Sequence, residues 1–350
     1  MNTTGKKPIL SVVVPTIKYT NLLDETIESA LALRCSSLEI VVNCNPWSDE
    51  FLKSKYSQHP IVRWEKITGP RLAIADSFND AVNKSAGNWI LILADDDLVD
   101  ANLLENVDLD TLSKDTLVTF GLKVTNLDGE KIGEGNFHRS GIMSQTEAVE
   151  ALCRFAFWHH LSLFLFSKKL WDQVGGFTPM GFPNGYYEDA VHHAKLINAA
   201  SGGVQANKNI MFVRRISTEQ ASARFYKDPR IVVGGLSNVA KELCKLSLVG
   251  PELQKMHGGI AGFHKFLIKQ RLSIDLMKLQ THYKATSFAC LQHVFAARSW
   301  GLSPNELLRV WIDQSPGGIA ATCFYLADRI YSKIRIFLGR VRRLLFNPAR

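Results

Sequence analysis

The stretch Trp89–Asp100, WILILADDDLVD, runs an apolar strand directly into three consecutive carboxylates. Adjacent like charges repel, and acids are poor strand formers. Such a cluster is either a solvated turn or a place where a cation neutralises the charge, and its surroundings decide which. Upstream, ILSVVVP reads as a buried strand that ends at Pro15, because proline has no N–H for a ladder. TNLLDETIESALAL comes next, with Leu23, Ile27, Ala30 and Leu31 at helical spacing. LEIVVN is a second buried strand. PRLAIADSFNDAVNKSAG reads as a helix with Ala75, Phe78 and Val82 on one face and Gly87 as its C-cap. NWILILA is the next strand. Strands alternating with helices imply right-handed crossovers and a mostly parallel sheet. Ligands of such sheets bind beyond the carboxyl ends of the strands, which is where Asp95, Asp96 and Asp97 fall.

At 350 residues the chain exceeds one typical domain, and its 46% hydrophobic and 21% charged residues are ordinary for a globular protein. The net charge of +8 is unevenly placed: RIYSKIRIFLGRVRRLLFNPAR, from Arg329 onward, holds seven basic residues and no acid. Taking those seven from the 41 basic residues leaves 34 against 33 acids, so the body is nearly neutral. This argues against a nucleic-acid-binding surface on the main domain. Cys35, Cys44, Cys153, Cys244, Cys290 and Cys323 are scattered with no C-x-x-C pair, which fits reduced thiols in a cytoplasmic protein. The first residues, MNTTGKKPILSVVVPT, have no secretory h-region, and no apolar run reaches the roughly 18 residues of a membrane span. The expected location is cytoplasmic, peripheral on the inner face of the cytoplasmic membrane.

No G-x-G-x-x-G comes after the first strand and no Walker lysine motif occurs, which lowers the dinucleotide and P-loop alternatives. Between about Thr116 and Val213 the pattern is mixed, with short strands such as TLVTFGLKV and LSLFLFS; beyond about Ser222 it is helical, as in VGGLSNVAKELCKLSL and NELLRVWIDQ.

If the acidic stretch is extended, alternate side chains share a face, and Asp95 and Asp97 look into one pocket. Hard oxygen ligands at this spacing suit Mg²⁺ or Mn²⁺, which use one or two carboxylates plus substrate phosphates. A second acidic pair, Glu188 and Asp189, lies after a Gly/Pro-rich loop and opens a helix in VGGFTPMGFPNGYYEDAVHHAKLINAA. Acids in a first turn interact favourably with the helix dipole, but a loop–helix junction also displays a general base well. His192 and His193, within one turn of Asp189, read as packed or solvent-facing more than as ligands. His159 and His160 either border an acceptor site or pack with Trp158.

Taken in order, these segments resemble the family 2 glycosyltransferases of GT-A fold over roughly residues 8–222. LSVVVPT resembles the opening strand with its V-P-T signature, EIVVN the second strand, IADSFNDAVNKSAGNWILILADDDLVDANLL the helix, strand and D-x-D block, and VGGF with YYEDAVHHAKL the G-G-F…E-D segment. The resemblance implies an α/β, Rossmann-like GT-A domain with a mostly parallel central sheet over residues 1–222, then a helical region over 223–327. It implies a metal-dependent inverting transfer of a sugar from a nucleotide-sugar to a hydroxyl of a glycan or lipid-linked acceptor, in a setting such as bacterial surface polysaccharide synthesis. By that resemblance Asp97 ligates the divalent metal (Mn²⁺ or Mg²⁺), and Asp95 holds the ribose or joins the metal shell, with Asp96 beside them. Asp189 is then the general base and Glu188 its support; Pro15 and Thr16 border the base, and Arg71 and Asn79 lie near the nucleotide-sugar. Two departures stand out. Where the family commonly has a D-D-G-S turn, this chain has Asn43 and Asn45, whose amides can hydrogen-bond a base, and Trp47, which can stack. No histidine occurs in FVRRISTEQAS, so Arg214 or Arg215 is expected to meet phosphate charge directly.

The remaining segment, residues 328–350, reads as a basic amphipathic helix. Ile330, Ile334, Phe337, Leu338, Val341, Leu344 and Leu345 fall on a stripe about 120° wide at about 100° per residue, flanked by Arg329, Lys333, Arg335, Arg340, Arg342 and Arg343. Such a helix suits an anionic membrane surface; packing on the protein itself or a dimer interface are the alternatives. Two other functions remain open on the residues. A sugar-nucleotide pyrophosphorylase would want a Gly-rich basic loop after the first strand, which PTIKYTN does not supply. An inactive, membrane-attached assembly factor would be consistent with the altered NCNPWSD turn.

Overall fold

The computed structural model describes residues 7–135, 140–153, 160–179, 187–216 and 229–269. The chain forms two compact units, one of residues Met1–Phe225 with Gly234–His264, the other of Tyr226–Val233 with Lys265–Arg350. The central sheet and the acidic stretch belong to the first unit. The basic segment 328–350, NELLRVWIDQ, His159 and Cys153's side chain lie outside the described residues.

A ten-stranded sheet forms the centre. Its first half is parallel: β3 (Val62–Lys66), β2 (Leu38–Cys44), β1 (Leu10–Thr16) and β4 (Trp89–Ile92) lie side by side in that order. Strands β1, β2 and β4 are mostly apolar because both of their faces are covered, and all four residues of β4 are buried; the edge strand β3, VRWEK, buries only Val62. The helices α1 (Asn21–Leu31) and α2 (Ile74–Lys84) make the crossovers, and α2 packs on β1 and β2 through Ala75, Phe78, Ala81 and Val82. Next to β4 comes β9 (Phe164–Ser167), running antiparallel, then β6 (Leu117–Asn126), β10 (Val204–Ile216) and the two-residue β5 (Leu98–Val99). Strand β10 is parallel to β6 and antiparallel to β5; β7 (Lys131–Gly135) and β8 (Gly141–Met143) add to β6 and β10. Further helices include α3 (Gln145–Cys153), α4 (Lys168–Val174) and α5 (Glu188–Ala199), then α6 (Pro229–Cys244) and α7 (Val249–His257).

Two local expectations change. Strand β1 does not stop before Pro15 but continues to Thr16. The carbonyl of Val13 accepts from Leu93 N–H on the β4 side, and that of Thr16 accepts from Asn45 N–H on the β2 side. Backbone groups alternate sides along a strand, so the donor that Pro15 lacks would face β4, whose pairing with β1 ends at Val13–Ile92. A proline is tolerated there because the ladder has no use for its N–H. Gly87, in turn, is not a helix cap, since α2 ends at Ser85 in extended conformation. It is required instead by close approach: a Cβ at Gly87 would stand 2.6 Å from Ser11 N, and its N–H donates to Ser11 Oγ at 2.7 Å.

Candidate active site

The acidic stretch is a turn, closed by Asp97 N–H donating to Ala94 O at 3.1 Å, that links the end of β4 to β5. Short β5 is pinned to β10 through the pairs Val99–Phe212 and Leu98–Val213. The turn therefore sits beyond the carboxyl end of a parallel strand, held on both sides. Because it is a turn and not an extended run, its carboxylates go to different neighbours. Asp95 Oδ2 accepts from Thr16 Oγ1 at 2.5 Å, at the carboxyl end of β1. Asp97 is only 1% exposed; its Oδ1 accepts from Arg215 N–H at 2.9 Å, its backbone oxygen from Thr26 Oγ1 at 2.7 Å, and His160 Nε2 stands 2.8 Å from Oδ2. The His160 contact is at ion-pair distance but lies off the line of a well-formed hydrogen bond. Asp96 is half-buried, and its backbone oxygen accepts from Arg215 Nε.

Arg215 does not meet phosphate charge in the way its sequence context implies. Its guanidinium is spent inside the fold, on Asp96 O, on Leu22 O at 3.3 Å and on Glu25 of α1. The side chain is 7% exposed, so it braces the turn against α1.

Crowding leaves a mark on Asp95. Burial first, then the neighbouring charge of Asp96, push its carboxyl up to about 7, with Asp97 adding to the effect and the Thr16 hydroxyl opposing it. An ionised Asp95 is thus short of compensating positive charge, which a divalent cation supplies. The donor set consists of hard carboxylate oxygens, the chemistry that Mg²⁺ and Mn²⁺ prefer. Among the described residues no three His, Cys, Asp or Glu side chains form a complete metal cage. These cations do not need one, because substrate phosphates and water fill most of their coordination. On both counts the residues fit.

The amides that replace the family's acidic turn have structural partners. Asn45 is 1% exposed; it accepts from Leu72 N–H at 2.8 Å and donates to Leu72 O at 3.2 Å, clamping the segment ahead of α2. Asn43 is fully buried and donates to Ser77 O at 3.1 Å. Asn79 makes a second clamp, accepting from Phe177 N–H at 2.8 Å and donating to Phe177 O at 3.0 Å. That bond explains Gly176, at φ 69°, where a Cβ would meet Asn79 Oδ1 at 2.5 Å. Trp47 has Phe51 stacked at 5.5 Å and the Lys66 ammonium over its ring at 4.2 Å. Arg71 is exposed, next to the clamped Leu72, and Pro15 is half-buried.

Glu188 and Asp189 open α5, as their positions imply, with Asp189 Oδ1 accepting from Ala190 N–H at 2.8 Å. Glu188 is 7% exposed and Asp189 half-buried. The residue before them, Tyr187, has φ 68° and is 4% exposed. Its ring lies where a Cβ on Gly235 of α6 would stand, at 2.5 Å from Cδ2. His192 and His193 are packed, each 2% exposed. His192 stacks on Phe177 at 4.0 Å and meets Trp171 edge-on at 5.0 Å, and burial lowers its pKa to about 3, keeping it neutral. The packed alternative holds for both histidines. Sequence reasoning misses His160 and Arg215 as partners of the acidic turn. Their only signal is a place at the ends of apolar strands, 63 and 118 residues from Asp97.

The structure is similar to that of S. aureus TarS 1–349 in complex with UDP-GlcNAc, with TM-score 0.60 and 13% identity over 86% of this chain and 83% of that one. It is also similar to S. aureus TarS, with TM-score 0.53 and 12% identity over 83% of this chain and 54% of that one. No protein-family model matches the chain, and no curated protein matches it by sequence. The fold is that of the GT-A glycosyltransferases, α/β with a mostly parallel central sheet.

Proposed function

We propose that the chain is a metal-dependent inverting glycosyltransferase, with residues 1–222 as its catalytic domain. The observation that carries this is the acidic turn: carboxylates crowded beyond the carboxyl end of β4, with Asp95 driven up to about 7 by burial and its acidic neighbour, in a GT-A fold. A divalent cation bound there would offset the charge of a departing nucleoside diphosphate. The nucleotide-sugar would lie along the ends of β1 and β4, past Pro15, Thr16, Asp95 and Asp96, with Arg71 close enough to its phosphates to contribute. The clamps made by Asn45 and Asn79 would shape the two walls of that cleft.

Asp189 is the proposed general base. It sits at a helix N-terminus, fixed by its own bond to Ala190 N–H, and is the more exposed of the pair. The acceptor hydroxyl would give its proton to Asp189 as its oxygen bonds to the anomeric carbon. The bond from that carbon to the phosphate oxygen breaks on the opposite face, so the configuration inverts. Buried Glu188 would hold the loop–helix junction in place. UDP-GlcNAc, present in one TarS structure, is a reasonable first donor to try. The acceptor would be a glycan or lipid-linked hydroxyl. No helix among the described residues is long and apolar enough to cross a membrane; the basic stripe of residues 329–350 would bring the enzyme to an anionic surface. Deleting it should abolish liposome binding while turnover of soluble acceptors persists.

The test is calorimetric binding of UDP, GDP, dTDP and CMP with and without Mn²⁺. Metal-dependent binding of one nucleotide supports the proposal and identifies the donor class. Absence of binding at millimolar concentration overturns it in favour of an assembly factor without activity.

A further inference from the structure

Two residues that local propensity disfavours meet at one contact beside the start of α5. We infer that Tyr187 is a positioning residue for Asp189, and that its ring, seated against Gly235 of α6, fixes the first turn of α5 and with it the carboxylate. This rests on the proposed role of Asp189 as general base and assigns what holds that base in place.

Tyr187 is the N-cap of α5, and its carbonyl accepts from Val191 N–H at 3.3 Å. An N-cap is normally extended and carries a short side chain whose oxygen accepts from the first turn. Tyr187 has neither property. Its backbone is left-handed, with φ 68° and ψ 1°, and its side chain makes no capping bond. A bulky residue keeps that conformation only where its surroundings hold it there. Asp189 itself accepts from Ala190 N–H at 2.8 Å, so the proposed base takes up a first-turn donor that the cap leaves over.

What holds Tyr187 is visible from α6. Gly235 lies inside this 16-residue helix, where glycine is less favourable than alanine. A Cβ there would stand 2.5 Å from Tyr187 Cδ2 and 2.7 Å from Cε2, well inside the distance at which carbon atoms pack. Tyr187 is 4% exposed, so α6 forgoes a side chain to admit the ring, and burial of the ring offsets the backbone strain. Both unfavourable choices then have one explanation, a backbone path imposed just ahead of Asp189. A helix start that needed only stability would take Ser, Asp or Asn at the cap and alanine in α6. Placing a base within reach of a substrate proton is a tighter demand, because a displacement of about 1 Å can cost about 100-fold in rate.

The test uses the full chain with Mn²⁺ and measures hydrolysis of UDP-GlcNAc, or of a sugar-nucleotide of whichever nucleotide binds wild type. Water stands in for the acceptor: its proton goes to Asp189 and its oxygen to the anomeric carbon as the nucleoside diphosphate leaves. Gly235→Ala, which drives a methyl into the ring, should lower kcat about 100-fold with KM and nucleotide affinity unchanged. Its melting temperature should fall, although alanine ordinarily raises it inside a helix. Tyr187→Gly, which relaxes the backbone and removes the ring, should lose as much turnover, and Tyr187→Phe, which keeps the ring, should retain it. The double variant Gly235→Ala with Tyr187→Gly should be no slower than either single one, because the methyl then has no ring to displace. Full turnover in folded Gly235→Ala, a slow Tyr187→Phe, or losses that multiply in the double variant overturn the inference and leave the transferase proposal standing. So does nucleotide affinity that falls in step with turnover, since the contact would then be a general prop of the fold. Wild type that hydrolyses no sugar-nucleotide overturns the inference together with the transferase proposal.

Discussion

The two carboxylate clusters are built on opposite electrostatic principles. In the acidic turn, three like charges are packed behind one another and Asp95 is pushed up to about 7. At the start of α5, Glu188 and Asp189 sit where a helix N-terminus already favours negative charge. In the first cluster burial and acidic neighbours disfavour the ionised form of Asp95, whereas in the second a backbone N–H, that of Ala190, donates to Asp189. A site that must bind a multivalent ligand gains from the first arrangement, since relief of repulsion adds to binding. A base that must stay ionised and fixed gains from the second. The contrast can be broken, or sharpened, at four positions.

The largest effect is expected at Asp189. If it is the base, Asp189→Asn should lower turnover about 10²–10⁴-fold with Mn²⁺-dependent nucleotide binding unchanged, measured by nucleoside diphosphate release and calorimetry. Equal losses in both would merge the two clusters into one binding site. At Asp95 the expectation reverses between ligand and stability. Asp95→Asn should weaken Mn²⁺-dependent nucleotide binding by at least the roughly 10–100-fold that loss of even an outer-shell partner costs, yet raise the metal-free melting temperature at pH 8, where the ionised side chain is penalised. A fall in melting temperature would show that the turn is already satisfied without a cation.

Behind α5, His192 supplies a pH test. Its folded pKa is about 3 against an ordinary 6.5, so between those values the unfolded chain binds the extra proton and stability falls as pH falls. From pH 7 to pH 5 this amounts to about 2 kcal/mol. Urea unfolding of wild type and His192→Phe should differ in pH dependence by about that amount below pH 6.5; parallel curves would mean that the imidazole is not held neutral. The smallest effect concerns Asn79. Asn79→Ala should cost about 1–3 kcal/mol of stability by leaving the Phe177 backbone groups without their partner. Nucleotide affinity in the folded protein should change little. Lost affinity at full stability would restore Asn79 as a direct donor-site residue.

Much of this molecule can be read from its sequence because the information is local. The strand–helix alternation, the acidic turn after NWILILA and the acidic start of α5 each come from runs of a few residues. Asn43, Asn45 and Asn79 show where local information ends. An amide carries both a donor and an acceptor, so it suits a nucleobase and a backbone peptide equally, and only its neighbours distinguish them. Asn79's partner is 98 residues away. The face-sharing expected of Asp95 and Asp97 requires an extended chain, but one hydrogen bond from Asp97 N–H to Ala94 O makes a turn. Arg215 resembles a phosphate ligand only while charge is read without burial.

The most direct measurement of the central claim is an anomalous diffraction map from crystals grown with Mn²⁺ and UDP or GDP. The predicted result is a manganese peak at the carboxyl end of β4, within bonding distance of a carboxylate of the acidic turn and of the diphosphate. A nucleotide bound elsewhere, or bound at this site with no metal beside the acidic turn, would contradict it.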